Sequence, residues 1–202
     1  MSVNAQAVVR RTARFERRLW GLSGLLLLGL ALSLLLGRYP TPYVTTPRTL
    51  AENELARSVV LNLRLPRILA AALLGLVLGA SGTTFQLIFR NPLVDSGFLG
   101  VSQGAAFGAS FAIVFLGGSA ILVQGSAALF AFLGLAASYF MARRLRFGDW
   151  VLRLVMAGIG VSAFYASGTG VVKYLADPLK QLPDITFWLL GGLWAITWQD
   201  VL

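Results

Sequence analysis

The sequence predicts an all-α, polytopic membrane helix bundle, and three observations predict it. Hydrophobic residues make up 57% of the 202 and charged residues only 12%, with a mean hydropathy of +0.76. A soluble domain carries about a quarter charged residues, so much of this surface must face something other than water. The apolar residues fall into runs close to the length needed to cross a bilayer, roughly 20 residues at about 1.5 Å rise each. The arginines gather at the ends of those runs, where a membrane protein carries its charge.

The first run, Leu19 to Leu36, follows Arg10, Arg11, Arg14, Arg17 and Arg18 and stops at Gly37-Arg38-Tyr39-Pro40. A secretory signal peptide shares the charged start and apolar core. This run is long for one, and no small-residue cleavage site precedes the Tyr-Pro-Thr-Pro stretch, which favours a retained span. Ile68 to Phe89 is the second run and carries no charge. From Asn91 to Ala142 the sole charge is Asp95, and that length fits two crossings broken at Gly117-Gly118-Ser119. The spans then lie near Phe98–Leu116 and Ala120–Met141. Leu154 to Val172 is the fifth. A polar stretch, Lys173 to Asp184, holds Pro178 and Pro183. It leads into Ile185–Ile196, too short to cross and readable as a surface or re-entrant helix. A sixth span starts near Trp198. The expectation is therefore five spans plus the start of a sixth, behind a basic tail at residues 1–18.

With the amino terminus in the cytoplasm, Arg90 and the loop holding Arg143, Arg144 and Arg146 are also cytoplasmic, as the positive-inside rule asks. The loop 38–67 then lies outside with Arg38, Arg48, Arg57, Arg64 and Arg67, offset only by Glu52 and Glu54. Basic residues on that side call for a negatively charged partner. Small residues punctuate the spans: Gly75 and Gly79 form one G-x-x-x-G, Gly104 and Gly108 another. Both read as sites of close helix packing.

Enzyme chemistry finds little support. The chain has no cysteine and no histidine, which removes thiolate metal sites and the commonest general base. No G-x-x-x-x-G-K-[ST] occurs, so no phosphate-cradling loop is encoded. The spans hold no carboxylate unless Asp95 at a mouth is counted, and ion-coupled transporters usually keep intramembrane ionisable groups. Gln86, Ser102, Gln103 and Ser110 form no catalytic triad. The net charge of +9 lacks the basic–aromatic face of a nucleic-acid binder. No metal site and no cofactor are expected in this chain.

Residues 64 to 110 carry the most specific pattern. Arg64, Pro66 and Arg67 form R-x-P-R at the head of a span. Ser81, Gly82 and Gln86 form S-G-x-x-x-Q. Asn91, Pro92 and Leu93 are followed by Leu99, Gly100, Gly104 and Ala105, matching N-P-L and L-G-x-x-x-G-A. Further on, Phe187-Trp188-Leu189-Leu190-Gly191-Gly192 precedes Trp198. This resembles the FecCD-type permeases, the membrane subunits of ATP-binding-cassette importers for iron–siderophore, haem or vitamin B12. Departures are Val94 and Ser96, where the family has alanine and proline, and Phe147–Leu152, which lacks the small polar pair of the family's inner gate.

The resemblance implies a permease domain over 19–202, incomplete at its carboxyl end against ten spans in complete members. It implies pairing as a homodimer or with a second permease subunit. Cytoplasmic ATPases would bind ATP and magnesium, and an extracytoplasmic binding protein would dock opposite, in a bacterial inner membrane. It assigns binding-protein docking to Arg64 and Arg67 and an inner constriction to Asn91 and Leu93. No residue here is expected to be catalytic. The segment that couples to the ATPase lies beyond Leu202, so this stretch alone is expected not to couple to ATP. A non-transporting membrane fragment and, further off, a membrane-embedded enzyme are the alternatives.

Overall fold

A computed structural model describes residues 5–39, 44–92, 94, 95, 97 and 99–201. All regular elements among them are helical, apart from one isolated antiparallel bridge between Leu36 and Val44. Four helical runs are long and apolar enough to cross a membrane: Arg14–Leu35, Glu54–Phe89, Ala120–Arg144 and Trp150–Leu175. The chain divides into two compact units, residues 1–73 with 193–202, and residues 74–192.

In the first unit, α1 (Ala5–Leu35) holds the first predicted span. Most of its leucines are exposed, with Leu30 and Leu34 half-buried, as suits a helix largely solvated by lipid. Two short helices follow, α2 (Pro47–Glu52) and α3 (Glu54–Val59). The Thr46 hydroxyl accepts from Thr49 N at 3.2 Å and Pro47 follows it, a usual helix start. Asn53 breaks out of helix geometry between the two, and its Oδ1 accepts from Ala56 N at 3.0 Å. Arg48 reaches Glu52 at 2.8 Å, one turn along α2.

Helix α4 (Leu65–Phe89) holds the second predicted span. The helical run begins earlier than the predicted Ile68, at Glu54. The uncharged run starts at Ile68 because Arg64 and Arg67 precede it, while the helix itself continues back through Pro66. A proline inside a helix has no N–H to give and drives its ring into the preceding turn. Here Val60–Arg64 winds as a π-helix, and Leu65 N donates to Val60 O, five residues back. The wider turn takes up the proline, which is fully buried.

The second unit is built around α5 (Val101–Phe115), the third predicted span. Its 15 residues rise about 22 Å, short of the hydrocarbon thickness. It is also the most enclosed long helix, burying Gly104, Ala106, Gly108, Ala109, Ser110, Ala112 and Ile113. Against it pack α6 (Ala120–Arg144) and α7 (Trp150–Leu175), the fourth and fifth spans. A Cβ on Gly104 or Gly108 would overlap the carbonyls of Phe130 and Ser126, and one on Gly134 would lie 2.6 Å from Gly100 O. The two backbones therefore touch, and Ser126 Oγ donates across to Gly108 O at 2.8 Å. Phe107, Phe111, Phe130 and Tyr165 interlock beside this seam, with Phe107 and Phe130 edge-to-face at 5.1 Å. The second G-x-x-x-G is thus a packing motif. The first is not one within these residues: Gly75 and Gly79 have nothing within 4 Å of a built Cβ. G-x-x-x-G records only that a backbone can be approached, and no helix of this stretch approaches there.

Beyond α7, α8 (Gln181–Leu190) starts before the predicted Ile185, with Pro183 in its first turn, where a proline costs no hydrogen bond. It stops at Gly191, whose φ of +68° is a left-handed helix cap. That cap cuts the predicted run Ile185–Ile196 in two. Gln181 ties α8 to α5: its Nε2 donates to Val114 O at 3.2 Å, while its Oε1 accepts from Asp177 N at 2.9 Å. In the first unit, α9 (Trp198–Val201) begins where the sixth span is expected.

Gly104→Val should force α5 and α6 apart at a backbone oxygen and destabilise by ~1–3 kcal/mol, the range of core overpacking. Gly24→Ala on α1, with open space around it, should change stability by less than ~1 kcal/mol. Thermal unfolding of both variants in one detergent gives the comparison.

Candidate functional site: the arginine head of α4 and the turn that follows the helix

The head of α4 gathers backbone carbonyls around two guanidinium groups. Arg64 Nη1 donates to Leu34 O at 2.9 Å and to Thr45 Oγ1 at 3.1 Å, and its Nη2 donates to Tyr39 O. Leu34 lies in the last turn of α1, whose final carbonyls lack intrahelical donors. A cation at a helix carboxyl end also complements the dipole. Thr45 is buried, and its N–H closes the connection by donating to Leu35 O at 2.8 Å. Gly37 completes the nest, because a Cβ there would overlap the Arg64 guanidinium. Arg64 is half-buried.

Arg67, one turn on, donates from Nη2 to Trp194 O. Its Nε is buried and has no acceptor among the described residues. A second tie joins the same segments: Trp198 Nε1 donates to Leu61 O at 3.0 Å. Thus Arg64 and Arg67, singled out by the sequence as a pair, bind different segments. Arg57 stands exposed on α3, and Arg38 is exposed in the connection.

The turn after α4 explains the rest of the signature. Gln86 Nε2 donates to Pro92 O at 3.2 Å, while Gln86 O accepts from Asn91 N at 3.2 Å. Gln86 therefore shapes the turn from both its side chain and its backbone. Arg90 sits at φ 48°, a left-handed value rare for a residue with a Cβ. Val94, in place of the family's alanine, is buried with Phe89 and Leu99 in an apolar cluster with Ala142, Leu154 and Ala157. The Asp95 carboxylate accepts from Gly97 N at 2.8 Å, a local turn. Leu93, the second gate candidate, and Ser96 lie outside the described residues.

Gly100 needs to be glycine twice over. Its φ is +81°, and a Cβ would sit 2.8 Å from Val161 Cγ1. Ser138 Oγ donates to Leu99 O at 2.8 Å, fixing the entry to α5. Ala105 packs on the second apolar cluster, around Ala109, Ile113 and Ile185. Trp188 is half-exposed on α8. Ser81 Oγ, Thr83 Oγ1 and Thr84 Oγ1 bond back to Val77 O, Gly79 O and Ala80 O at 2.7–2.8 Å. These hydroxyls on α4 satisfy themselves within the helix, which lets that face meet lipid or another helix.

The hairpin between α6 and α7 is held by Arg153, which donates from Nη1 to Leu145 O at 3.0 Å and from Nε to Asp149 O at 3.3 Å. Asp149 caps α7 by accepting from Leu152 N at 2.7 Å. Arg153, Gln181, Gly37 and Thr45 were not singled out by the sequence. Each works through a bond or a close approach to a distant group. Only the Gly37-Arg38-Tyr39-Pro40 punctuation hinted at one of them.

No group of three or more His, Asp or Glu side chains that could hold a metal occurs among the described residues. What the helices and turns define is a multi-pass helical membrane protein whose polar side chains hold backbone in place. The FecCD transport family matches residues 25–202, and the chain belongs to that family. A probable iron chelatin transport system permease protein of Helicobacter pylori is 39% identical over 146 residues, 71% of this chain and 42% of its own length. The molybdate import system permease protein MolB of Haemophilus influenzae is 33% identical over 195 residues, 93% of this chain and 57% of its own length. A solved structure of a putative metal-chelate type ABC transporter in an inward-facing conformation superposes with a TM-score of 0.79 at 33% identity, covering 92% of this chain and 56% of that one. The chain spans about half the length of the relatives it matches.

Gly37→Val should expel the Arg64 guanidinium from its acceptors and leave Leu34 O unpaired. The expected cost is ~2 kcal/mol, read as a melting temperature lower by about 4–8 °C.

Proposed function

We propose that this chain is the amino-terminal part of a permease subunit of an ATP-binding-cassette importer in a bacterial inner membrane. The observation that carries the reading is the likeness to the metal-chelate transporter over 92% of the chain at a TM-score of 0.79. Iron–siderophore, haem or cobalamin-type chelates are the proposed cargo. The spans carry no intramembrane charge to repel large, weakly charged complexes. A small oxyanion is the second reading, favoured by the likeness to a molybdate permease over 93% of the chain.

The work is conformational and not bond-making. Alternating access would be driven by partner ATPases that bind ATP and magnesium in the cytoplasm. The permease would act as a homodimer or with a second permease subunit. In this reading the amino terminus is cytoplasmic and the head of α4 faces outward. Arg64 and Arg67 would then receive acidic side chains of an extracytoplasmic binding protein, where charge steers docking and fixes register. Asn91 and Leu93 would line an inner constriction. The bonds from Asn91 N to Gln86 O and from Gln86 Nε2 to Pro92 O support a defined turn at Asn91 and Pro92.

The test is uptake by the full-length permease in proteoliposomes with its ATPase and binding protein. Ferric siderophore, hemin, cobalamin and molybdate are each offered with ATP inside. ATP-dependent accumulation of a chelate is the expected result. Accumulation of molybdate alone would select the second cargo. No ATP-dependent uptake of any of the four, with binding protein docked, would end the importer reading.

A further inference from the structure

Arg64 and Arg67 have the same charge and opposite hydrogen-bond states. Arg64 serves three acceptors, two of them backbone carbonyls, and is enclosed by Gly37. Taking it away would orphan the carboxyl end of α1 and the buried Thr45. Arg67 serves one neutral carbonyl, Trp194 O, and keeps a buried Nε with no acceptor among the described residues. A buried donor left unmade carries a desolvation cost that any arriving acceptor removes. Nε and Nη2 form one edge of the guanidinium, the edge that takes a carboxylate with two parallel bonds. Such a pair adds the attraction of opposite charges and a second parallel bond, which a single neutral carbonyl does not offer. A carboxylate on that edge would satisfy Nε and compete with the Trp194 carbonyl for Nη2.

We propose that Arg67 is an exchangeable latch: an acidic side chain of the docking partner replaces Trp194 O on its Nε–Nη2 edge, while Arg64 remains a fixed brace. The consequence reaches residues 193–198. This segment is tied to the head of α4 by Arg67 and by the bond from Trp198 to Leu61 O. Docking removes the Arg67 tie and leaves the bond from Trp198 to Leu61 O. The segment leading into α9 is therefore loosened by an event at the outer end of α4. The inference rests on the docking reading above and narrows it to Arg67, with Arg64 kept on its own acceptors.

This stretch holds no cysteine, so a single label can report on the segment. The experiment uses the full-length permease with its ATPase in nanodiscs, with cysteines outside this stretch removed and a spin label at Ala195→Cys. Binding protein is titrated while affinity and label mobility are read together. The latch predicts that saturating binding protein raises mobility at 195 to the level of undocked Arg67→Gln. It predicts that Arg67→Gln weakens docking about thirty-fold or more with the melting temperature kept. Arg67→Lys, which offers no bidentate edge, should recover only part of that affinity. Arg64→Gln should instead lower the melting temperature, and its folded fraction should still loosen at 195 on docking. Unchanged mobility at 195 under full docking would overturn the latch. So would Arg67→Gln that loses stability while docking normally, since the missing acceptor would then lie inside the permease. Failure of the unmutated permease to bind its binding protein would sink the docking reading, and the latch with it.

Discussion

The approach of α5 to α6 is the constraint on which the second unit depends. Within a bilayer, helices gain nothing by hiding apolar surface from one another, because lipid is as apolar as leucine. They associate where packing is close, and it is closest where a glycine removes the side chain between two backbones. Gly104 and Gly108 on α5 meet the carbonyls of Phe130 and Ser126, and Gly134 on α6 meets Gly100 O. Gly100 also turns the chain into α5 with a left-handed φ. Once that seam closes, Phe107, Phe130 and Tyr165 have one way to interlock, and α7 packs onto the face they form. A 15-residue helix too short to span can then sit enclosed by longer neighbours.

Polar groups follow the opposite logic. A backbone carbonyl in a dry place needs a donor, and this chain supplies donors from long side chains. Arg64 serves the end of α1, Arg153 the hairpin before α7, Gln181 the end of α5 and Gln86 the turn after α4. Each of these bonds runs from a flexible side chain to the backbone at the end or edge of a helix. Those are the places where hydrogen bonding within the helix itself runs out, so the side chain does what the next helical turn would have done.

This division sets what was legible in the sequence. Span positions followed from hydropathy, and four of the five predicted spans meet the length and hydropathy of a crossing. The signature glycines and the N-P turn were legible because backbone geometry demands particular residue types at Gly100, Gly191 and Pro92. The uncharged run located the second span, but the helix around it starts earlier, at Glu54, and nothing in Val60–Arg64 announces the π turn that carries it through Pro66. Gly75 and Gly79 were read as a packing site by the rule that located Gly104 and Gly108 correctly. The difference lies in the partner and not in the motif, and a partner is invisible along one chain. The unequal states of Arg64 and Arg67 were likewise hidden, because their acceptors sit as far as 30 and 127 residues away in sequence.

The hydroxyl bonds bear on how the helices of the proposed permease can rearrange. Ser81, Thr83, Thr84, Ser110, Ser167 and Thr169 all return their hydroxyl protons to the preceding turn of their own helix. A hydroxyl satisfied this way does not fix its helix to a neighbour, and its hydrogen bond survives when the neighbour changes. Interhelical bonds are sparse by contrast, and two of them join elements whose backbones also touch: Ser126 to Gly108 and Ser138 to Leu99. Within the second unit, α5 and α6 joined at their glycine seam form one block, and helices whose hydroxyls are satisfied internally keep those bonds when a block moves. Rigid-body rocking of helix groups is the motion alternating access requires. In the proposed permease, hydroxyls satisfied within their own helices let each span stay stable in more than one packing.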